Sequence, residues 1–131
     1  MLNLKKCVRA LLALTLVAST AALQAREMVS VAKAEINMRA GAGTQHEALW
    51  KLTLGYPLEV TGRQGEWLKV RDFENDSGWV YRPLVAKTPH MVVKSRVANV
   101  RSAPNTRSRV IGQADHGEVL RTLEHRNDWV R

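Results

Sequence analysis

Short apolar runs in this chain alternate with polar residues and are separated by turn-forming residues. Apolar side chains two positions apart, such as Leu58 with Val60 and Leu68 with Val70, are typical of β-strands with one buried face. No segment between 28 and 85 has a helical period. Glycine-containing turns are predicted at 41–44, 55–57 and 62–65, where glycine can adopt positive φ. The pattern therefore predicts an all-β fold with strands at 28–31, 35–39, 48–52, 58–61, 67–71 and 78–81.

The segment 37–69 recurs without a gap, 62 residues later, as 99–131. Six of the 33 pairs are identical: Asn37 with Asn99, Arg39 with Arg101, Thr44 with Thr106, Gly55 with Gly117, Leu58 with Leu120, and Trp67 with Trp129. A repeat of this length indicates one small module used twice, and each module must close its own core. We define copy one as 28–85 and copy two as 91–131, joined by a linker at 86–90. Pro83 and Pro89 stiffen this connection, so the two copies should lie close together.

Copy two shows no counterpart of the last strand pair of copy one, which predicts a module incomplete at its C-terminus. A small module that lacks this pair would have an open strand edge and an insecure core. Three explanations stay open. The chain is a fragment or has an early stop, which we favour; another molecule supplies the final strand; or copy one covers the edge.

The first 25 residues have the layout of a secretory signal peptide. Lys5, Lys6 and Arg9 form a basic start, 11–22 is almost entirely apolar, and Ala25 is a small residue at the cleavage position, with Ala22 as the alternative. An apolar run of this length is too short for a membrane span, which needs roughly 20 residues. We therefore predict export to the periplasm or medium, with no stable membrane span after cleavage.

The cysteine content and the net charge further restrict how the exported chain can be stabilised and which classes of ligand it can bind. The only cysteine, Cys7, lies inside the predicted signal peptide, so the mature chain has no thiol and no disulfide. The whole chain has a net charge of +8, and copy two contributes most of the basic excess that remains after cleavage. A basic surface outside the cytoplasm favours anionic polymers or lipids of the envelope over nucleic acid. The alternative is ordinary solubilising charge.

Alternation along the last strands of copy one separates two faces. Leu68, Val70 and Val80 share one face, and the opposite face carries aromatic and basic side chains: Trp67, Lys69, Arg71, Trp79 and Tyr81. If the aliphatic face is the core, these aromatic residues are partly open to solvent and face a ligand. The alternative is that both faces are covered and the aromatic residues are simply core.

The motifs of copy one resemble the bacterial SH3-like (SH3b) domain family. They are Asn37-Met38-Arg39-Ala40-Gly41-Ala42-Gly43-Thr44, Leu49, Gly55, Gly65-Glu66-Trp67 and Gly78-Trp79-Val80. Copy two has Asn99-Val100-Arg101 through Thr106, Gly117 and Trp129, but Ala103 replaces a glycine and Gly-Trp-Val is missing. The resemblance implies two small SH3-like β-barrels in tandem, the second incomplete, in the cell envelope. Such domains commonly bind peptidoglycan, peptides or proteins there and have no catalysis of their own.

The sequence offers little evidence for an enzyme active site. The mature chain has no thiol, its serines have no His/Asp arrangement to activate them, and the four histidines fall in turn regions, the linker and copy two. We predict no catalytic residues, no metal site and no cofactor. Arg39 and Arg101 occupy the same place in both copies, and we favour a structural role in which the guanidinium bonds loop carbonyls over an anion contact.

The leading hypothesis is an exported, non-enzymatic protein that recognises peptidoglycan or an envelope peptide. The predicted ligand-binding residues are Tyr56, Trp67, Trp79 and Tyr81 for stacking, with Lys69, Arg71 and Arg82 for carboxylates. The alternative is a periplasmic adaptor that partners an envelope enzyme or a membrane protein. A third possibility is weak electrostatic adhesion through copy two, which salt would abolish.

Overall fold

The computed structural model describes residues 26–131, so the predicted signal peptide at 1–25 lies outside the described residues. Copy one is built from strands at nearly the predicted positions: β1 (Met28–Val31), β2 (Glu35–Arg39), β3 (Ala48–Thr53), β4 (Pro57–Gln64), β5 (Trp67–Arg71) and β6 (Ser77–Tyr81). A 3₁₀ turn (Arg82–Leu84) then leads into β7 (Val85–Ala86). The seven strands form one sheet in the order β3-β2-β6-β5-β4-β1-β7, so the all-β prediction is confirmed.

One aliphatic core lies inside this sheet. Six strands contribute to it, which requires the sheet to curl around its own buried face: Val29, Val31, Ile36, Met38, Leu52, Leu58, Leu68, Val70 and Val80. The alternation in β5 and β6 buries Leu68, Val70 and Val80 as predicted. Trp67 and Trp79 on the opposite face are only partly buried. The aromatic residues of the last two strands are therefore not part of the core.

The hairpin between β4 and β5 differs from the prediction. A turn was expected at 62–65, but β4 continues to Gln64 and the turn lies at Gly65, which has φ of 58°. The reason is a β-bulge between Val60 and Gly62, which takes up one extra residue and lets pairing with β5 resume at Gly62 opposite Lys69. The turn was therefore predicted to be too long. The reason is that the bulge interrupts the alternation of buried and exposed side chains on which the strand prediction relied.

Copy two repeats the strand starts of copy one at the 62-residue offset. Its strands are β8 (His90–Val92), β9 (Val97–Arg101), β10 (Val110–Asp115), β11 (Val119–Arg121), β12 (His125–Arg126) and β13 (Trp129–Val130). The bulge between Val110 and Gly112 lies at the same offset from the bulge in the β2–β3 pair. Gly55 and Gly117 both have φ of 84°. Their amides donate equivalent hydrogen bonds, to Val31 O at 2.8 Å and to Val93 O at 2.9 Å.

The pairing of strands differs between the copies. Copy two forms three separate two-stranded ladders, β10-β9, β11-β8 and β12-β13, instead of one sheet. Several of its apolar side chains are exposed where their equivalents in copy one are buried. Nowhere between residues 26 and 131 does the chain form a helix long and apolar enough to cross a membrane.

The two copies contact each other through the loop between β5 and β6. Asp72 Oδ1 accepts hydrogen bonds from the amides of Glu74 and Asp76, both at 2.9 Å, and so shapes this loop. The rings of Phe73 and His116 lie 5.6 Å apart, and His116 Nε2 is 3.3 Å from Glu74 Oε1. The predicted proximity of the two copies is therefore confirmed.

Candidate ligand-binding groove

A groove of about 670 Å³ opens beside the point where β2 meets β6. The two strands are paired at one register position, Arg39 opposite Trp79. Beyond this position, β2 and the loop that follows it form one wall of the groove, and Trp67 and Tyr81 lie on the other. The groove is lined by Glu35, Ile36, Asn37, Arg39, Ala42, Gly43, Thr44, Gln45, Trp67, Tyr81 and Leu84.

The aromatic wall is a pair of rings in contact. Trp67 on β5 and Tyr81 on β6 are directly opposite each other in the antiparallel register. Their ring centroids are 5.3 Å apart with an interplanar angle of 50°, and this distance lies in the range of favourable aromatic contacts. Because each ring supports the other, the pair presents a preformed apolar surface to the groove.

The opposite wall depends on the loop after β2, which Arg39 holds. Arg39 Nη1 donates hydrogen bonds to the carbonyl oxygens of Thr44, at 3.3 Å, and His46, at 3.0 Å. In copy two, Arg101 Nη1 donates to Ser108 O, the equivalent of His46 O, at 2.9 Å. The predicted role of this arginine in bonding loop carbonyls is therefore confirmed in both copies.

The replacement of glycine by Ala103 in copy two has a steric explanation. A Cβ placed on Gly41 would lie 2.6 Å from the imidazole of His46, so alanine would not fit in copy one without a shift. In copy two the smaller Ser108 stands at the position of His46, and its Oγ donates to Ala103 O at 2.8 Å. The two differences compensate, and the loop keeps its shape.

Comparison with known proteins agrees with this geometry. Two family models described as Bacterial SH3 domain match the chain, one at residues 32–87 and the other at residues 96–131. The chain belongs to the bacterial SH3 domain family. It carries two SH3 domains in tandem, the second with the shorter match, so the resemblance drawn from the sequence is confirmed.

A curated relative of this SH3 protein is YrvJ of Bacillus subtilis (strain 168), whose name describes it as an N-acetylmuramoyl-L-alanine amidase. The two sequences are 22% identical over 112 residues, which cover 77% of this chain. The chain spans only 22% of the length of that relative.

The groove of the first SH3 domain is lined mostly by uncharged side chains, and its two charged ones are Glu35 and Arg39. Asn37, Thr44 and Gln45 contribute amide and hydroxyl groups. The one acidic residue on the wall, Glu35, has the ammonium group of Lys51 at 3.4 Å. Aromatic surface beside neutral hydrogen-bonding groups is suited to sugars and peptide bonds rather than to highly charged polymers.

Four other predicted residues do not line the groove. Trp79 and Lys69 are cross-strand neighbours on the outer face of β5 and β6. Arg71 Nη2 is 2.8 Å from Glu59 Oε2, and this hydrogen bond lowers the pKa of Glu59. The guanidinium of Arg82 forms a similar ion pair with Glu66, at 2.6 Å.

The remaining predicted residue, Tyr56, faces the junction between the two SH3 domains. Its ring packs against Phe73, with centroids 6.2 Å apart. Burial first, and then the carboxylates of the 72–76 loop, raise the pKa of Tyr56 to about 12. Tyr56 is therefore a neutral hydrogen-bonding group beside an acidic loop, apart from the groove.

Titratable groups elsewhere in the described chain do not converge. Between residues 26 and 131, no cluster of three or more His, Cys, Asp or Glu side chains is arranged to hold a metal ion.

Proposed function

We propose that this protein is exported, is not an enzyme, and binds peptidoglycan or a peptide of the cell envelope through the groove of its first SH3 domain. The observation that carries the proposal is the Trp67–Tyr81 pair, which shares the groove with the neutral polar groups of β2 and the loop that follows. Sugars and peptides present apolar faces next to hydrogen-bonding groups, so both surfaces of the groove would be used.

Two further observations support an envelope setting. The relative YrvJ carries the name of an N-acetylmuramoyl-L-alanine amidase. The first 25 residues of this chain have the composition of a signal peptide. Mass spectrometry of the secreted protein would test export directly: we expect a mature chain that starts at Arg26, or at Leu23 if cleavage follows Ala22.

The other candidate residues fit this proposal in different ways. Trp79 and Lys69 extend the outer face from the groove and would contact a longer ligand. Arg71 and Arg82 would have to exchange their present carboxylate partners for those of the ligand, which limits their net gain. Tyr56 would contribute only to a ligand that reaches the junction between the domains.

Co-sedimentation with purified peptidoglycan tests the groove. Residues 26–131 should sediment with it at both low and high salt, and Trp67→Ala should weaken binding about 30-fold if the side chain contributes about 2 kcal/mol. Trp50→Ala is the matched control, because Trp50 is 54% exposed and lies outside the groove. Circular dichroism would establish that both variants remain folded.

The other outcomes separate the alternatives. Binding that disappears at high salt would favour electrostatic adhesion through the basic second domain. Failure of the folded wild-type protein to sediment would refute the wall-binding proposal and put the protein–protein adaptor first. Equal loss in the Trp50 and Trp67 variants would refute the groove as the site.

A further inference from the structure

A second, smaller cavity of about 260 Å³ opens on the first SH3 domain beside β1 and β7. Val29 and Leu68, which are almost fully buried, form its floor, and Val85 and Ala86 lie beside them, partly buried. Four charged side chains complete the lining: Glu27, Arg63, Arg82 and Lys87. We call this cavity the basic pocket. It shares no lining residue with the groove, so it is a separate site.

The sheet brings these charges together from distant parts of the chain. Glu27 precedes β1, and its carbonyl oxygen accepts a hydrogen bond from the amide of Val60 on β4, at 2.8 Å. Arg63 lies near the end of β4, and its Nη2 donates to both carboxylate oxygens of Glu27 at 2.6 Å. On the other side, β7 pairs with β1 and leads the chain to Lys87. The basic pocket therefore depends on the position of β1 between β4 and β7.

The positive charges at the basic pocket outnumber the carboxylates that face them. Arg63 is paired with Glu27, and Arg82 Nη2 is 2.6 Å from Glu66 Oε2. Among residues 26–131, no carboxylate forms an ion pair with Lys87. The hydrogen bond from Arg63 first, and then the charges of Arg63 and Lys87, lower the pKa of Glu27. Three cations and two carboxylates leave one positive charge, which a ligand with one negative charge would balance.

The two ion pairs are open to exchange with a ligand. The side chains of Arg63 and Glu27 are 52% and 37% exposed, and those of Arg82 and Glu66 are 53% and 56% exposed. Water screens ion pairs of this kind, and they contribute little to stability. A ligand carboxylate can therefore replace Glu27 or Glu66 at little cost, and at Lys87 it has no carboxylate to replace.

We propose that the basic pocket binds the C-terminal carboxylate of a peptide that ends in a small apolar residue. Lys87 supplies the unpaired positive charge, Arg63 and Arg82 flank the carboxylate, and the last side chain of the peptide contacts Val29 and Leu68. Capture of a terminal carboxylate is an established mode of peptide recognition. Because the basic pocket and the groove are separate, the proposal does not depend on the proposed function.

The size and the floor of the basic pocket restrict the ligand to this class. Sites for drug-sized ligands measure about 300–1,000 Å³, so this smaller cavity has room only for a short group. An inorganic anion would leave the aliphatic floor without a partner, whereas the methyl group of a terminal alanine would contact it and gain from its own burial. A carboxylate next to a small apolar side chain meets both requirements.

The peptide N-acetyl-Ala-Ala is the probe, and its C-terminal amide is the uncharged control. Added to the 26–131 protein, the acid should shift the NMR signals of the backbone amides of Arg63, Val85, Ala86 and Lys87. The amide form should bind at least about tenfold more weakly, because it lacks the charge-assisted hydrogen bonds. The signals of Trp67 and Tyr81, which report on the groove, should not move.

Two substitutions should change the affinity in opposite directions. Lys87→Gln removes the unpaired charge and should weaken binding by up to about fivefold, as expected for one exposed ion pair. Glu27→Gln removes the competing carboxylate and should tighten binding, whereas a purely structural role for the Glu27–Arg63 pair would predict a loss. Lys33→Gln is the matched control, because Lys33 is exposed and lines neither cavity.

Each of four results would overturn the inference. The first is that the amide signals of residues 85–87 do not move at the highest soluble concentration of the acid. The second is equal binding of the acid and its amide. The third is weaker binding in Glu27→Gln, or an equal loss in Lys33→Gln and Lys87→Gln. The fourth is that only the signals of Trp67 and Tyr81 move, which would place the carboxylate in the groove. Failure of the protein to sediment with peptidoglycan would leave all of these measurements unaffected.

Discussion

Leu58 and Leu120 are the same residue at equivalent places in two copies of one module, which makes them a matched pair for a stability experiment. Leu58 lies at the start of β4 and is completely buried in the core of copy one. Leu120 lies in β11, and nearly half of its surface faces solvent. We expect the substitution to alanine to be much more costly at Leu58 than at Leu120.

The magnitude follows from what each substitution leaves behind. Leu58→Ala removes buried methyl groups and leaves a cavity in a closed core, which costs about 3 kcal/mol. Leu120→Ala removes a side chain that is only about half buried, and water fills the space, so no enclosed cavity forms. Its cost should be about 1 kcal/mol. The difference of about 2 kcal/mol corresponds to roughly a 30-fold difference in the effect on the unfolding equilibrium.

Urea unfolding followed by amide NMR signals would measure the two copies separately, because each copy reports through its own resonances. A single unfolding curve for the whole chain would mix two domains and would not yield one free energy. Equal destabilisation by the two substitutions would refute the reasoning, since it would mean that Leu120 is as well enclosed in solution as Leu58.

Two further predictions concern close packing and pH. Gly78→Ala should destabilise copy one by about 1–3 kcal/mol, because the new Cβ would overlap Met38. The control Gly112→Ala meets nothing closer than 4.0 Å and should change the thermal midpoint little. The hydrogen bond with the Lys94 backbone, followed by that with Glu74, raises the pKa of His116 above 6.5. Its contribution to stability is complete below pH 6.5 and is lost as the pH rises through the raised pKa. An NMR titration should give a midpoint above 6.5 that falls in Glu74→Gln, and an unchanged midpoint would contradict the ion pair.

Much of the fold could be read from residue pattern alone, because the features concerned are local. Alternation at Leu68 and Val70 assigns the buried face of β5 from neighbouring positions, without knowledge of the strands on either side. The interactions of the repeated arginine are also local in sequence, since Arg39 donates hydrogen bonds to carbonyl oxygens only five and seven positions away. The bulge at Gly62 was missed because it interrupts the period on which the strand prediction relies.

The placement of the candidate site needed the tertiary structure. Alternation puts Trp67, Trp79, Tyr81, Lys69 and Arg71 on one face, but it does not say which of them border a groove. That depends on where β2 meets β6, a pairing between residues 40 positions apart, Arg39 and Trp79. The same pairing places Trp67 and Tyr81 on the groove, while Arg71 lies beside Glu59 instead.

The two copies of the repeat show most clearly which features follow from the sequence and which follow from the tertiary structure. The sequence by itself determined that two similar modules are present and that both are built of β-strands. Only the tertiary structure decided that Leu120 is exposed while the identical Leu58 is buried. The physical reason is that burial is a property of the neighbours around a residue, and those neighbours come from strands distant in the chain.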